Sequence, residues 1–300
     1  MKVWVSILLC ISLASCSSDR KQDVENAPLL SRAYTDDAGN ILHFATAPSR
    51  VISLTPSITE MMYFLEMEAC LIATSQACNY PEDALTTEKI QTYPELDTES
   101  IIALKPDVLL ATTEIFSPEI SAWFAQYQIP VLFQEYTKLE DVFRNMESLT
   151  TLLSCKSEVK EKIANLRSVC DSVQQKHVKA LRPKVVILVN ASPLCIAGGQ
   201  SFMQDIITIA GGQNIGQDLK QAYPEITSEF LIQQDPDFII LPARDESSAL
   251  EFVIQHPELN TMRAISEKRL ILVDPDLYLR PGPRSIEALI EIASLLHPGE

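Results

Sequence analysis

From Val51 onward the apolar positions fall into short unbroken runs, separated by stretches in which they recur every three or four residues. The runs Val51–Leu54, Leu71–Thr74, Val108–Ala111 and Val131–Phe133 read as strands buried on both faces. The stretches Ser57–Leu65, Thr98–Leu104, Pro118–Tyr127 and Leu139–Leu152 read as helices, the first with Ser57 as N-cap and Glu60 at the capping-box position. Ahead of them, Ala33–Thr35 and Ile41–Phe44 flank a turn carrying Gly39 and Asn40 and predict a hairpin. Strands alternating with helices imply a parallel sheet covered on both faces.

The pattern changes between Ser157 and Leu181, a run with no Gly or Pro, rich in charge, and with Val159, Ile163, Leu166 and Val173 at helical intervals. It predicts one helix of roughly 37 Å, at 1.5 Å per residue. Beyond Arg182-Pro183 the alternation resumes. Strands are expected at Val185–Val189, Leu194–Ala197, Phe238–Leu241 and Leu270–Val273, and helices at Ser201–Ala210 and Ser285–Leu296. The fold class is therefore α/β, with two pseudo-symmetric lobes of parallel-rich sheet joined by one long backbone helix. The expected division is an N-terminal lobe over 32–152, the interlobe helix over 153–183 and a C-terminal lobe over 184–300.

An internal repeat supports two lobes. Tyr93-Pro94-Glu95-Leu96-Asp97-Thr98-Glu99-Ser100-Ile101-Ile102 leads to Pro106-Asp107 and the Val108 strand. It matches Tyr223-Pro224-Glu225-Ile226-Thr227-Ser228-Glu229-Phe230-Leu231-Ile232, then Pro236-Asp237 and the Phe238 strand, without a gap at an offset of 130 residues and with seven identities.

The amino-terminal residues bear on compartment. Lys2 precedes an almost wholly apolar run, Val3–Leu13, which is shorter than the roughly 20 residues that span a bilayer as a helix. It reads as a signal-peptide core over 1–15. Leu13-Ala14-Ser15-Cys16 resembles a bacterial lipobox, predicting lipidation of Cys16, a polar tether over 16–31 and a cell-envelope, periplasmic location in which the lipid is the only membrane contact. A net charge of −16 and a pI near 4.7 argue against nucleic-acid binding, which needs a basic face. Five of the seven cysteines lie beyond the leader, so at least one is unpaired, and most read as small buried apolar residues.

Ligands of open α/β sheets bind outside the carboxyl ends of the strands. The loops at those ends carry Ser57, Asn79, Tyr80, Tyr93, Phe116, Asn190, Tyr223, Tyr278 and Arg280, the candidate ligand-binding set, with Arg284 a further candidate cation. Aromatic walls with a few amides and one or two Arg suit a large, flat, mostly apolar ligand with polar fringes. Enzyme motifs of the GxGxxG, Walker, GxSxG and HExxH kinds are missing, and Ser157-Glu158-Val159-Lys160 fits SxxK alone on a helix. The four histidines fall outside the cleft loops, so neither a resident metal nor a cofactor is expected.

Taken together, Arg50-Val51-Ile52-Ser53-Leu54, Pro56-Ser57-x-Thr59-Glu60, Ile102-Ala103-Leu104-Lys105-Pro106-Asp107, the long helix and Gly211-Gly212-x-Asn214 resemble the substrate-binding proteins of iron-siderophore, haem and vitamin-B12 ABC importers. Cys78-Asn79-Tyr80-Pro81 and the two Tyr-Pro-Glu loops are most similar to the cobalamin-binding branch. The resemblance implies a monomeric, non-enzymatic protein that clamps a corrinoid between rigid lobes and hands it to a dimeric permease. Tyr93 and Tyr223 stand where cobalamin binders carry Trp, and Thr112 stands where they carry an aromatic, for which Phe116 is the candidate substitute. Glu99 and Glu229 fall on the two carboxylates that dock to the permease. Haem or a ferric siderophore as ligand, and a lipid-anchored enzyme, are the alternatives.

Overall fold

The computed structural model describes residues 32–178 and 181–299. The signal segment, Cys16 and the whole of the tether lie outside the described residues. The N-terminal lobe opens with a hairpin, β1 (Arg32–Thr35) and β2 (Ile41–Phe44). There follow β3 (Val51–Ser53), α1 (Pro56–Phe64), β4 (Leu71–Ser75), β5 (Lys89–Ile90), α2 (Thr98–Leu104), β6 (Val108–Thr112), α3 (Ile120–Ala125), β7 (Val131–Gln134) and α4 (Leu139–Leu152). The five strands after the hairpin form one sheet in the order β5-β4-β3-β6-β7, every pair parallel. Residues Val51 to Ser53 and Val108 to Thr112 are buried at every position, as strands covered on both faces must be.

Helix α5 (Ser157–His177) spans 21 residues, or roughly 32 Å, and stops short of the expected Leu181. The C-terminal lobe then runs β8 (Lys184–Ala191), β9 (Leu194–Ile196), α6 (Phe202–Ile209), β10 (Gln213–Asn214), α7 (Ser228–Gln234), β11 (Phe238–Pro242), α8 (Glu246–Gln255), α9 (Arg263–Ser266), β12 (Leu270–Val273), α10 (Pro275–Tyr278) and α11 (Ser285–Leu296). Its sheet is β10-β8-β11-β12, parallel throughout, with β9 folded back antiparallel on β8. Sequence periodicity missed α8 because Phe252 is its one buried residue.

The 130-residue repeat is a repeat of hydrogen bonds. Asp97 and Thr227 cap α2 and α7 by accepting from the N–H groups of Ser100 and Phe230. Both helices end on a left-handed residue, Lys105 (φ 47°) and Asp235 (φ 44°). Asp107 then accepts the Arg50 N–H at 2.9 Å and donates its own N–H to the Arg50 carbonyl at 2.8 Å. Asp237 repeats both bonds with Lys184, each at 2.8 Å. The Pro-Asp pair thereby locks each incoming strand to its neighbour, β6 to β3 and β11 to β8.

The outer faces of the two sheets have separate cores, one around Ile52, Leu109 and Phe133 and one around Val186, Ile239 and Phe252. The inner faces share a third. Val51, Leu110 and Leu132 of one lobe and Val185, Ile187 and Ile240 of the other belong to a single buried cluster with α1, α4, α5, α6 and α11. A continuous core crossing the lobe boundary opposes wide hinge opening.

Candidate functional site

Carboxyl ends of strands from both sheets meet at a cavity of about 270 Å³. The turn after β3 supplies Thr55, Pro56 and Ser57, the turn after β6 supplies Thr112, Glu114 and Ile115, and Tyr136 follows β7. From the other lobe come Val189 of β8, Met203 of α6, Tyr223 of the repeated loop, and Leu279, Arg280 and Pro281 beyond α10. Most of this lining is apolar, with polar groups set into it one at a time, the usual composition of a small-molecule site.

Three of the polar groups are held away from their ordinary pKa. Glu114 accepts the Tyr136 N–H at 2.8 Å, and burial, with Glu135 adding, raises its carboxyl above the usual range. Tyr223 is 38 % exposed, yet burial, with Glu114 adding, pushes its hydroxyl up to about 12. Burial holds the Tyr136 hydroxyl far above its ordinary value, and it donates to Gln134. Both phenols therefore remain protonated donors at neutral pH.

Beside the cavity a charged network ties the lobes together. Glu60, on α1 and only 4 % exposed, accepts from Arg284 at 2.7 and 2.8 Å and from Arg280 at 3.1 Å. Arg280 also donates to Asn79 at 2.7 Å and pairs with Asp276 at 2.8 Å. Asn79 in turn donates to Asp276 at 2.8 Å. Burial alone would raise the Asp276 carboxyl, but the bonds from Asn79 and Arg244 outweigh it and hold it below the usual range. The guanidinium of Arg284 lies 3.9 Å from the Tyr80 ring centroid.

The structure brings Ser57, Tyr223 and Arg280 together as expected, and departs from expectation elsewhere. Ser57 lies inside α1 rather than capping it. Thr55 is the N-cap, and Glu60 turns away from the helix start toward two arginines. Phe116 is 7 % exposed and packs in the outer core of its lobe, because the backbone turns back on Thr112 and sends the ring inward. Tyr278 is 1 % exposed in the shared core, since the single turn of α10 points it in and leaves Leu279 to Pro281 for the cleft. Asn190 is exposed in a neighbouring groove of about 540 Å³ on its own lobe. Asn79 and Tyr80 belong to the bridging network, and Tyr93 stands 80 % exposed outside the cavity.

Glu99 and Glu229 occupy the same place in α2 and α7, are exposed, and make no ion pair with another described residue. Among the described residues no group of three metal-ligating side chains converges, and no helix is long and apolar enough to cross a membrane. All five described cysteines are free thiols, with Cys78 and Cys170 buried.

Residues 51–277 match a family described as periplasmic binding protein. A vitamin B12-binding protein of Photorhabdus laumondii is 26 % identical over 251 residues, covering 84 % of this chain and 89 % of that one. An uncharacterized ABC transporter substrate-binding lipoprotein of Bacillus subtilis, YvrC, is 25 % identical over 308 residues, 99 % of this chain and 96 % of its own. Among solved structures, the haem-binding protein RhuT of Roseiflexus superposes with a TM-score of 0.74 at 20 % identity, over 82 % of this chain and 97 % of that one. The fold is thus shared with proteins named for different ligands, and the lining of the cleft has to discriminate among them.

Proposed function

This chain belongs to the periplasmic binding protein family, and on that footing we propose that it captures cobalamin or a related corrinoid between its lobes and delivers it to an ABC importer. The observation that carries the reading is the cleft itself. An apolar cavity at the strand ends, walled by Tyr136 and Tyr223 and lined by a cation whose donors are already engaged, suits the flat face and amide fringe of a corrin. The cavity's 270 Å³ holds part of so large a ligand, whose remainder would reach beyond the cleft. Similarity to proteins named for vitamin B12 supports the same ligand.

Transfer to the permease falls to Glu99 and Glu229. Equivalent, exposed carboxylates on a pseudo-twofold molecule offer two matching anionic contacts to a dimeric, cationic partner. The protein acts as a monomer, held to a membrane by acyl chains on Cys16. No bond of the ligand is made or broken.

The test is transport. Cells lacking this chain should lose accumulation of labelled cyanocobalamin and regain it with the wild-type gene, but not with the Glu99→Ala, Glu229→Ala double variant. Undiminished uptake without the chain would contradict the reading.

A further inference from the structure

The ligand-facing charge of the cleft is a single carboxylate. Of the cavity's lining residues only Glu114 and Arg280 carry formal charge, and the two are not equivalent. The Arg280 guanidinium already meets Glu60, Asp276 and Asn79 within 3.1 Å, and its side chain is 14 % exposed. Glu114 forms no ion pair with another described residue. Neutral donors, the Tyr136 N–H and Thr112, hydrogen-bond to it, the charge of another acid, Glu135, acts on it, and its field reaches Tyr223 across the cleft. A cleft-lining carboxylate that forms no ion pair attracts N–H donors and repels anionic oxygens.

We propose that Glu114 is a charge-selecting residue of the cleft: it accepts ligands that present amide or other N–H donors and turns away ligands that present carboxylate or catecholate oxygens. The inference rests on the binding-protein reading above and narrows it. Neutral, amide-fringed macrocycles are admitted, while diacid tetrapyrroles and anionic ferric chelates are disfavoured. Tyr223 completes the arrangement from the other lobe, a protonated phenol facing the same space. The two lobes then read one ligand edge together, with a donor from one side and an acceptor from the other.

The experiment compares two matched pairs by calorimetry on the purified protein. One pair is cyanocobalamin and its derivative with one peripheral amide hydrolysed to the acid, and the other is haemin dimethyl ester and haemin. The wild type should bind the uncharged member at least about tenfold more tightly in whichever pair it accepts. Glu114→Gln keeps the carbonyl that receives the Tyr136 N–H, so it should fold normally and bring the ratio within about threefold of unity. Glu135→Gln, an exposed acid outside the cavity, should leave the ratio unchanged. Ligand binding with a wild-type ratio near one, or a ratio that survives Glu114→Gln, overturns the inference and leaves the binding role standing. Failure of every ligand to bind overturns both.

Discussion

Glu60 and Arg284 face each other across the lobe boundary in a two-bonded ion pair, Nε to Oε2 at 2.8 Å and Nη2 to Oε1 at 2.7 Å. Both side chains are largely shielded from water, at 3 % and 14 % exposure, and Arg280 adds a third contact. Removing one partner of such a set leaves charge desolvated and unpaired, which costs more than the intact pair contributes. Glu60→Ala should therefore lower the unfolding free energy by about 3 kcal/mol in urea titrations. Because the shared apolar core remains, the variant should still unfold in one transition.

Tyr223 and Tyr93 are sequence equivalents that the fold has made unequal. Tyr223 lines the cavity, whereas Tyr93 stands 80 % exposed. Tyr223→Ala should weaken corrinoid binding about tenfold or more, the value of one well-packed aromatic contact. Tyr93→Ala should cost at most a factor of about three. Neither should shift the melting temperature appreciably.

Burial raises the Glu114 carboxyl above its ordinary value of 4.5, so between those two values the folded state holds a proton that the unfolded chain has released. The stabilising contribution is full below 4.5 and is lost as pH rises through the raised folded value. The groups facing Glu114 are Glu135, Thr112, Tyr136 and Tyr223. Glu114→Gln should thus gain stability relative to wild type on going from acid to neutral pH, by a small margin because the side chain is solvent-exposed. Thermal melts at a series of pH values measure the difference.

Asp107 and Asp237 each join two strands by accepting a strand-start N–H at the side-chain carboxylate and donating their own backbone N–H to the same residue's carbonyl. Replacing either by Ala leaves strand-start N–H groups without their acceptor and should cost about 1–2 kcal/mol. The two costs should add, since the sites are on different lobes. Single and double variants in chemical denaturation check this.

The buried thiols should be slow to react. Burial pushes the Cys170 thiol up to about 11 and raises Cys78 as well. In the native protein, a thiol-titrating reagent should modify Cys195, Cys70 and Cys155 ahead of those two.

Much of this architecture is legible in the sequence because its signals are local. Apolar runs marked the inner strands, the bounds Ser285–Leu296 of α11 match the periodic pattern, and the repeat located α2 with β6 and α7 with β11 at once. Ser57, Tyr223 and Arg280 were readable because they lie at strand ends or in the repeated loop. What was not readable is which way a side chain turns just past a strand. Phe116 and Tyr278 satisfy the composition of a cleft loop but point into cores. Glu60 fits a capping box by spacing, yet its partner is 224 residues away. Glu114 carries no local signal at all, since what singles it out is its place in a cavity lined from both lobes and its lack of an ion pair with another described residue.

The central claim is that the cleft takes a corrinoid, and calorimetric titration of the purified protein with cyanocobalamin tests it most directly, with haemin and ferric siderophores as comparison ligands. One-to-one binding with a Kd of about 1 μM or tighter, weakened in Tyr223→Ala, is the predicted result. Stoichiometric binding of haemin or a ferric siderophore, with no heat from cyanocobalamin, would contradict it.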